Sequence, residues 1–152
     1  MSLRFFFFFF CIINILTSCK SSLYTNSIGF VEDKRFFVNE KLDSIQADWN
    51  NMLKENHLNS KLNSFEIRMD TDIQNSKKYY YLIGKSTSDS VKVATILKFK
   101  KGKFYFNNET NKIVICHGCS NSYPKFESGK WGWTCESPDL NTDCGKISIV
   151  KF

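Results

Sequence analysis

The chain has 152 residues, of which 21 are basic and 15 acidic, so its formal net charge is +6. Because domains most often hold about 100 to 150 residues, this length suits one domain and excludes two of comfortable size. The mild positive charge favours contact with anionic lipid headgroups or acidic glycans.

The N-terminus has the three parts of a signal peptide. Arg4 supplies the positive charge, a twelve-residue apolar run follows over residues 5–16, and two small residues then precede Cys19. Twelve residues of helix rise about 18 Å, which is too short for the roughly 30 Å hydrocarbon core of a bilayer. We therefore predict that residues 1–18 are cleaved and do not span a membrane.

The residues Leu16-Thr17-Ser18-Cys19 resemble the lipobox of bacterial lipoproteins. The resemblance implies that Cys19 becomes the first mature residue and carries acyl chains, palmitate among them, on its sulfur and its amine. Two or more chains anchor a protein stably to a membrane. In the Bacteroidetes, surface-exported lipoproteins carry acids just after this cysteine, whereas the first acid here is Glu32. The resemblance therefore implies an outer-membrane protein of the cell envelope that faces the periplasm; the alternative is an ordinary secretory signal with a chance cysteine.

Cleavage would leave 134 residues with 20 basic and 15 acidic side chains. Residues 19–30 are mostly small or polar and predict a lipidated tether, and residues 31–152 then form a single globular domain. Because such a protein leaves the cytoplasm, nucleic acid is not an expected partner. The expected partners are the membrane, through the N-terminal lipid, and an envelope protein or a glycan.

One amphipathic helix is the clearest predicted element. Its apolar residues recur at helical spacing: Leu42, Ile45, Trp49, Met52 and Leu53. Asn39 suits the N-cap position, and the helix should end near residues 56–57. Before the helix, short apolar pieces at 28–31 and 36–38 flank the charged Glu32-Asp33-Lys34-Arg35.

Beyond the helix, apolar and polar residues alternate as they do in strands with one buried face. Six segments show this or a short apolar run: 65–73, 79–83, 91–99, 104–106, 113–116 and 147–152. Strands joined by short links pair antiparallel. The predicted fold is α+β, with one N-terminal amphipathic helix packed on a curled antiparallel sheet of about six strands and a C-terminal disulfide-stapled loop.

Four cysteines remain after the leader and the lipidation site: Cys116, Cys119, Cys135 and Cys144. The envelope is oxidising and the count is even, which favours two structural disulfides. The segment that they bound has few aliphatic residues to bury, so cross-links of about 2–4 kcal/mol each would replace a core. The sequence leaves all three pairings open.

Two other interpretations of these cysteines lead to different chemistry. Four thiolates suit tetrahedral zinc, but Cys135 and Cys144 lie too far apart for the short knuckle of a zinc ribbon. A histidine inside the Cys116-His117-Gly118-Cys119 motif favours a reactive thiolate, and hence a thiol-disulfide oxidoreductase. The polar residues after Cys119 predict no helix there, which a thioredoxin-like site would need. We expect no metal and no cofactor.

Two groups of side chains are candidate ligand-binding residues. The first is the aromatic set in the cysteine-bounded segment: Tyr123, Trp131 and Trp133. Exposed, they would stack on sugars or grip a protein; buried, they would form a small core beneath the disulfides, which we favour. The second is a stripe of lysines on one face of a strand: Lys92, Lys98 and Lys100. These lysines would either bind an anion or form a solvent-exposed face that discourages pairing with another strand.

The sequence lacks common enzyme signatures. It contains no Gly-rich phosphate loop and no HExxH or GxSxG motif, and the mature chain has only two histidines, His57 and His117. We therefore predict no catalytic residues and a binding role, as an inhibitor, an immunity factor or an accessory subunit. Two three-residue matches resemble the O-glycosylation motif of Bacteroidetes envelope proteins, and they make Ser44 and Ser90 candidate acceptors.

Overall fold

A computed structural model describes residues 26–40, 42–72, 74–107, 112–119, 121–128, 132–137 and 144–150. These residues contain one helix, α1 (Asp43–Glu55), and ten strands. The strands are β1 (Gly29–Glu32), β2 (Arg35–Val38), β3 (Leu62–Thr71), β4 (Lys78–Ser86), β5 (Val91–Lys100), β6 (Lys103–Phe106), β7 (Lys112–His117), β8 (Tyr123–Glu127), β9 (Gly132–Glu136) and β10 (Gly145–Val150). The prediction of an antiparallel sheet with one helix is confirmed.

Eight of the described strands form one antiparallel sheet. β4 lies between β3 and β5, and the other edge of β5 is shared, since β7 pairs with its first half and β6 with its second. β10 extends the sheet beyond β7, while β1 and then β2 extend it beyond β6. The sheet curls until β2 contacts β3, so it has a concave face and an outer face.

The concave face holds the main core, and α1 closes it. The buried helix residues are Ile45, Trp49, Met52 and Leu53, and Leu42, the fifth residue predicted from the spacing, is buried at the N-cap. Trp49 is fully buried and its ring contacts Phe65 of β3. The helix packs on apolar residues from the sheet: Ile67, Leu82, Val93, Leu97, Phe104 and Ile115. Burial of these apolar side chains holds helix and sheet together.

The helix is not N-terminal, which corrects the predicted arrangement, because the hairpin β1–β2 precedes it. The turn residues Asp33 and Lys34 have φ of 47° and 63°, as the type I′ turn of a two-residue hairpin requires. Asn39 is not the N-cap either. Leu42 takes that position, and the N–H of Asn39 donates to the carbonyl of Ile28 at 2.9 Å. The two strands have four residues each, too few to show an alternation in the sequence.

The sheet also has more strands than the six predicted. β1 begins at Gly29, inside the residues predicted to be a tether, and the leader and Cys19 lie outside the described residues. Within the cysteine-bounded segment, β8 and β9 pair with each other as a two-stranded sheet, where the sequence predicted a loop. In the part of the chain that the structure describes, no helix is both long and apolar enough to cross a membrane.

Candidate functional site

The four cysteines form two disulfides, Cys116–Cys135 and Cys119–Cys144, which confirms the predicted disulfide bonds. Cys116 belongs to β7 and Cys135 to β9, so the first bond fixes the hairpin β8–β9 to the main sheet. Cys119 follows β7, and Cys144 directly precedes β10. The second bond therefore closes the cysteine-bounded segment where the chain returns to the sheet.

This pairing bears on the two alternatives for the cysteines. A CxxC oxidoreductase needs a reversible bond between Cys116 and Cys119, whereas here each of them is bonded to another cysteine. A four-cysteine zinc site would need the same sulfurs as free thiolates. His117 neighbours Cys116 in β7, so its side chain points to the opposite face, where its ring lies against Gly145. Among the described residues, no group of three or more His, Cys, Asp or Glu side chains is placed to hold a metal ion.

The inner side of the hairpin packs on the outer face of the sheet. Trp133 is only 4% exposed, and its ring meets the rings of Tyr81 and Phe126 edge-on, at 5.8 and 5.7 Å between centroids. A second apolar cluster results: Tyr81, Ile83, Ala94, Val114, Cys116 and Trp133. Trp133 is thus a core residue, while Trp131, the other predicted tryptophan, lies outside the described residues.

Polar contacts tie the hairpin to the sheet beside this cluster. The Tyr79 hydroxyl accepts the N–H of Phe126 at 3.1 Å and lies 3.4 Å from a carboxylate oxygen of Asp70, to which it donates. Burial raises the pKa of Tyr79 well above its ordinary value, so the hydroxyl stays protonated and can serve both partners. The ammonium of Lys146 in β10 donates to the carbonyl of Trp133 at 3.0 Å.

A third tie joins the end of β8 to the turn between β3 and β4. The carboxylate of buried Asp72 accepts the backbone N–H of Gln74 at 3.1 Å and the side-chain amide of Asn75 at 2.9 Å. That amide also donates to the Ser128 hydroxyl at 3.2 Å. Hydrogen bonding, from Ser128 above all, holds the pKa of Asp72 below its ordinary value. The described strands of the hairpin are therefore tied to the sheet at Cys135, Trp133, Phe126 and Ser128.

The outward side of the hairpin carries a polar cluster that we call the hairpin face: Tyr123, Lys125, Thr134 and Glu136. Tyr123 is 38% exposed and donates its O–H to one carboxylate oxygen of Glu136 at 2.8 Å. The ammonium of Lys125 lies 2.9 Å from the other oxygen. The hydrogen bond to Glu136 raises the pKa of Tyr123, and the same carboxylate raises the pKa of Lys125. Glu136 thus connects Tyr123 and Lys125 within the hairpin face.

The predicted lysine stripe is divided. Lys98 and Lys100 are exposed at the end of β5, but Lys92 is only 4% exposed. The Lys92 ammonium contacts Asp89, lying 3.0 Å from its carbonyl oxygen and 3.2 Å from its carboxylate. The register places Lys92 opposite the disulfide-bonded Cys116. Lys92 therefore lies in the covered part of the outer face, and only its two companions can meet a partner there.

Two phenylalanines that the sequence did not single out lie near the exposed lysines. Phe30 of β1 and Phe37 of β2 stack with 5.3 Å between ring centroids, and each is 38% exposed. Lys103 is opposite Phe30, and Lys100 is opposite Lys103. Directly opposite residues share a face, so all four lie on the outer face. With Lys98 they form what we call the aromatic–lysine face. Only the long-range pairing of β1 with β6 could have revealed it.

The candidate glycosylation serines lie at different places. Ser44 is exposed in the first turn of α1. Ser90 is half-buried at the end of the β4–β5 turn, and its hydroxyl lies 2.6 Å from that of Ser88. Their modification stays a prediction.

No family model, curated protein or solved structure matches this chain. Its function is therefore inferred from its own residues. Two surfaces stand out in the described part of the chain, the hairpin face and the aromatic–lysine face. Both lie on the outer side of the sheet, away from α1.

Proposed function

We propose that the protein is a lipid-anchored component of the bacterial cell envelope that binds another envelope protein and has no catalytic role. The observation that carries the anchor is Leu16-Thr17-Ser18-Cys19 directly after the apolar run. The two disulfides support it, since such bonds persist in oxidising compartments such as the periplasm. The proposed location is the outer membrane, with the domain facing the periplasm.

The hairpin face supports the binding role because it is held rigidly. The Cys116–Cys135 bond, buried Trp133 and the Tyr79 hydroxyl all fix the strands that carry it. A surface that is ordered before binding loses less conformational entropy when a partner docks. Tyr123 presents an exposed ring with a polar tip, and tyrosine is enriched among the residues that contribute most to protein interfaces. An inhibitor, an immunity factor or an accessory subunit would use such a surface.

The geometry favours a protein partner over the two alternatives. A glycan site needs exposed ring faces, and buried Trp133 has none to offer, which leaves Tyr123 among the described aromatics of the segment. An oxidoreductase would use a bond between Cys116 and Cys119, which here belong to two different bridges.

Metabolic labelling with an alkynyl palmitate analogue tests the anchor. The wild-type protein should take up the label and fractionate with the outer membrane, and Cys19→Ala should take up none. Cys11→Ala is the matched control, because Cys11 would leave with the cleaved leader and this variant should label as the wild type does. Label that persists in Cys19→Ala would refute the anchor.

Site-specific photo-crosslinking tests the binding role. A photoreactive phenylalanine at position 123 in living cells should give a discrete adduct, and so should one at position 134 on the same hairpin face. The control position is Lys54, which is exposed on the outer side of α1. Equal adducts from positions 54 and 123, or none from the hairpin face, would contradict the proposed interface.

A further inference from the structure

We infer that the aromatic–lysine face rests on an anionic lipid bilayer, as a second membrane contact beside the lipid on Cys19. The inference rests on the proposed lipid anchor for its geometry. It gives the exposed phenylalanine pair and the two lysines left from the predicted stripe a common ligand, the headgroup region of the membrane to which the chain is tethered.

The layout of the face is an apolar end joined to a cationic end. Phe37, Phe30, Lys103 and Lys100 follow one another across β2, β1, β6 and β5. Three strand spacings separate the first from the last, which is about 14 Å. Lys98 lies two residues before Lys100 and so on the same face. All five side chains are exposed.

The cationic end brings like charges together. Lys100 and Lys103 are directly opposite each other, a pairing that costs stability in a sheet. Between them Lys101 adopts a φ of 50°, a left-handed conformation usually left to glycine, asparagine or aspartate in such turns. A bound anionic surface would offset the repulsion among three lysines in four residues.

The neighbouring hairpin turn adds further positive charge. The N–H of Val31 donates to the carbonyl of Gly102 at 2.9 Å, so the β1–β2 and β5–β6 turns lie side by side. Around these turns six basic side chains face two acidic ones: Lys34, Arg35, Lys98, Lys100, Lys101 and Lys103 against Glu32 and Asp33. Basic clusters of this kind are attracted to anionic lipid within a Debye length, about 8 Å at physiological salt.

The stacked phenylalanines distinguish a bilayer from a soluble anion. Phe30 and Phe37 remain 38% exposed, although β1, which carries Phe30, is paired with β2 on one side and with β6 on the other. Surfaces that bind the membrane interface combine aromatic side chains, which enter the headgroup region, with lysines and arginines around them. A soluble phosphate would need the lysines alone.

Because the proposed anchor on Cys19 already holds the chain at the membrane, even a weak contact between the aromatic–lysine face and the bilayer would be occupied. Cys19 lies only ten positions before Gly29, where β1 begins. Ten peptide steps reach at most about 35 Å even when fully extended. The sheet therefore stays beside the bilayer at a high effective concentration, so that docking is an intramolecular step.

Lysine footprinting of the native lipidated protein tests the docking. The protein is reconstituted in phosphatidylcholine vesicles, with or without phosphatidylglycerol as about a third of the lipid. Acetylation by a water-soluble reagent is then followed by mass spectrometry. Lys100 and Lys103 should react at least about threefold more slowly on the anionic vesicles, and added salt should restore their rates. Lys54 on α1 is the internal control and should not change. Equal rates on both vesicles would overturn the inference.

Charge-reversed variants sharpen the test. In Lys100→Glu/Lys103→Glu the protection of Lys98 on anionic vesicles should disappear, while the matched control Lys54→Glu/Lys61→Glu keeps it. Thermal melting in detergent establishes that both variants fold. Phe37→Thr, a substitution at an exposed strand position, should weaken the protection of Lys98 from acetylation on anionic vesicles without changing any charge. Protection that survives the charge reversal would refute the role of the lysines.

The outcomes separate this inference from the anchor. An intact mass without acyl chains refutes the anchor alone; the same protein is then sedimented with the two kinds of vesicle, and binding to neither overturns the docking. Acyl chains with unprotected lysines refute the docking alone. Protection in native membranes but not in protein-free vesicles would assign the face to a protein partner and would also overturn the proposal.

Discussion

The two faces of the sheet are covered in different ways. On the concave face, α1 is held by an apolar cluster that includes fully buried Trp49 and Leu53. On the outer face, a short hairpin is held by a smaller cluster, a disulfide to β7 and a few polar ties. The cysteine-bounded segment has few aliphatic residues, so covalent bonds stabilise what apolar burial cannot. The packing of α1 on the concave face should survive reduction of the disulfides, whereas the packing of the hairpin on the outer face should not.

Trp49→Ala should cause the largest loss of stability. Removing a fully buried indole from the centre of the concave core should cost about 3–5 kcal/mol, since the space cannot be refilled by its neighbours. Urea unfolding under oxidising conditions measures the effect. Asn51→Ala is the control, because Asn51 is exposed on the same helix and its loss should be small. A small loss at position 49 would contradict a core that depends on α1.

The double substitution Cys116→Ala/Cys135→Ala should have the next largest effect. It removes the bond that joins residues 19 apart, and a loop of that length corresponds to about 3 kcal/mol in the chain-entropy account. Far-ultraviolet circular dichroism should still show α1 and the sheet at moderate temperature. Hydrogen exchange should become faster in β8 and β9 than in β3 and β4. Uniform acceleration through all four strands would show that the two faces unfold together.

The same contrast explains what could be predicted from the sequence. α1 was predictable because the five apolar residues at helical spacing are all buried in one core cluster. β3 and β5 have ten residues each, long enough for alternation to show. β1, β2, β8 and β9 have four or five residues, and β8 contains Pro124, so none of them is long enough to show a clear alternation; β1 and β2 appear in the sequence only as short apolar pieces. The positions of these four strands depend on long-range strand pairing and, for β8 and β9, on the disulfide to β7.

The lysine stripe shows the same limit at one residue. Alternation placed Lys92 on the same side of β5 as Lys98 and Lys100, as the register has it. Its burial depends on the disulfide-bonded segment beside β7, which nothing in the residues around Lys92 indicates. Trp133 and Lys92 therefore leave the candidate site, Tyr123 remains in it, and Phe30 and Phe37 are added, because long-range contacts decide which of these side chains stay exposed.

Tyr79→Phe should loosen the hairpin and leave the concave core unchanged. The substitution removes the hydroxyl that accepts the N–H of Phe126, and the loss of one buried hydrogen bond should cost about 1 kcal/mol. Hydrogen exchange at the Phe126 amide is the direct measurement and should accelerate several-fold. Tyr123→Phe is the control, since its hydroxyl bonds to Glu136 on the exposed side. Equal acceleration in both variants would contradict the role of Tyr79 as a tie.

Asp72 should make one end of the hairpin sensitive to acid, with the smallest effect. Hydrogen bonds hold its folded pKa below the ordinary value of 3.8, so the carboxylate stabilises this end at pH above 3.8 and the contribution is lost as the pH falls through the folded pKa. Exchange at the Gln74 amide, followed below pH 5 and corrected for intrinsic rates, should show the loss, because that amide donates to Asp72. Asp72→Asn should remove the transition, since an amide side chain does not titrate in this range. A transition that persists in Asp72→Asn would assign the acid response to another carboxylate and would leave the β3–β4 turn as a passive support.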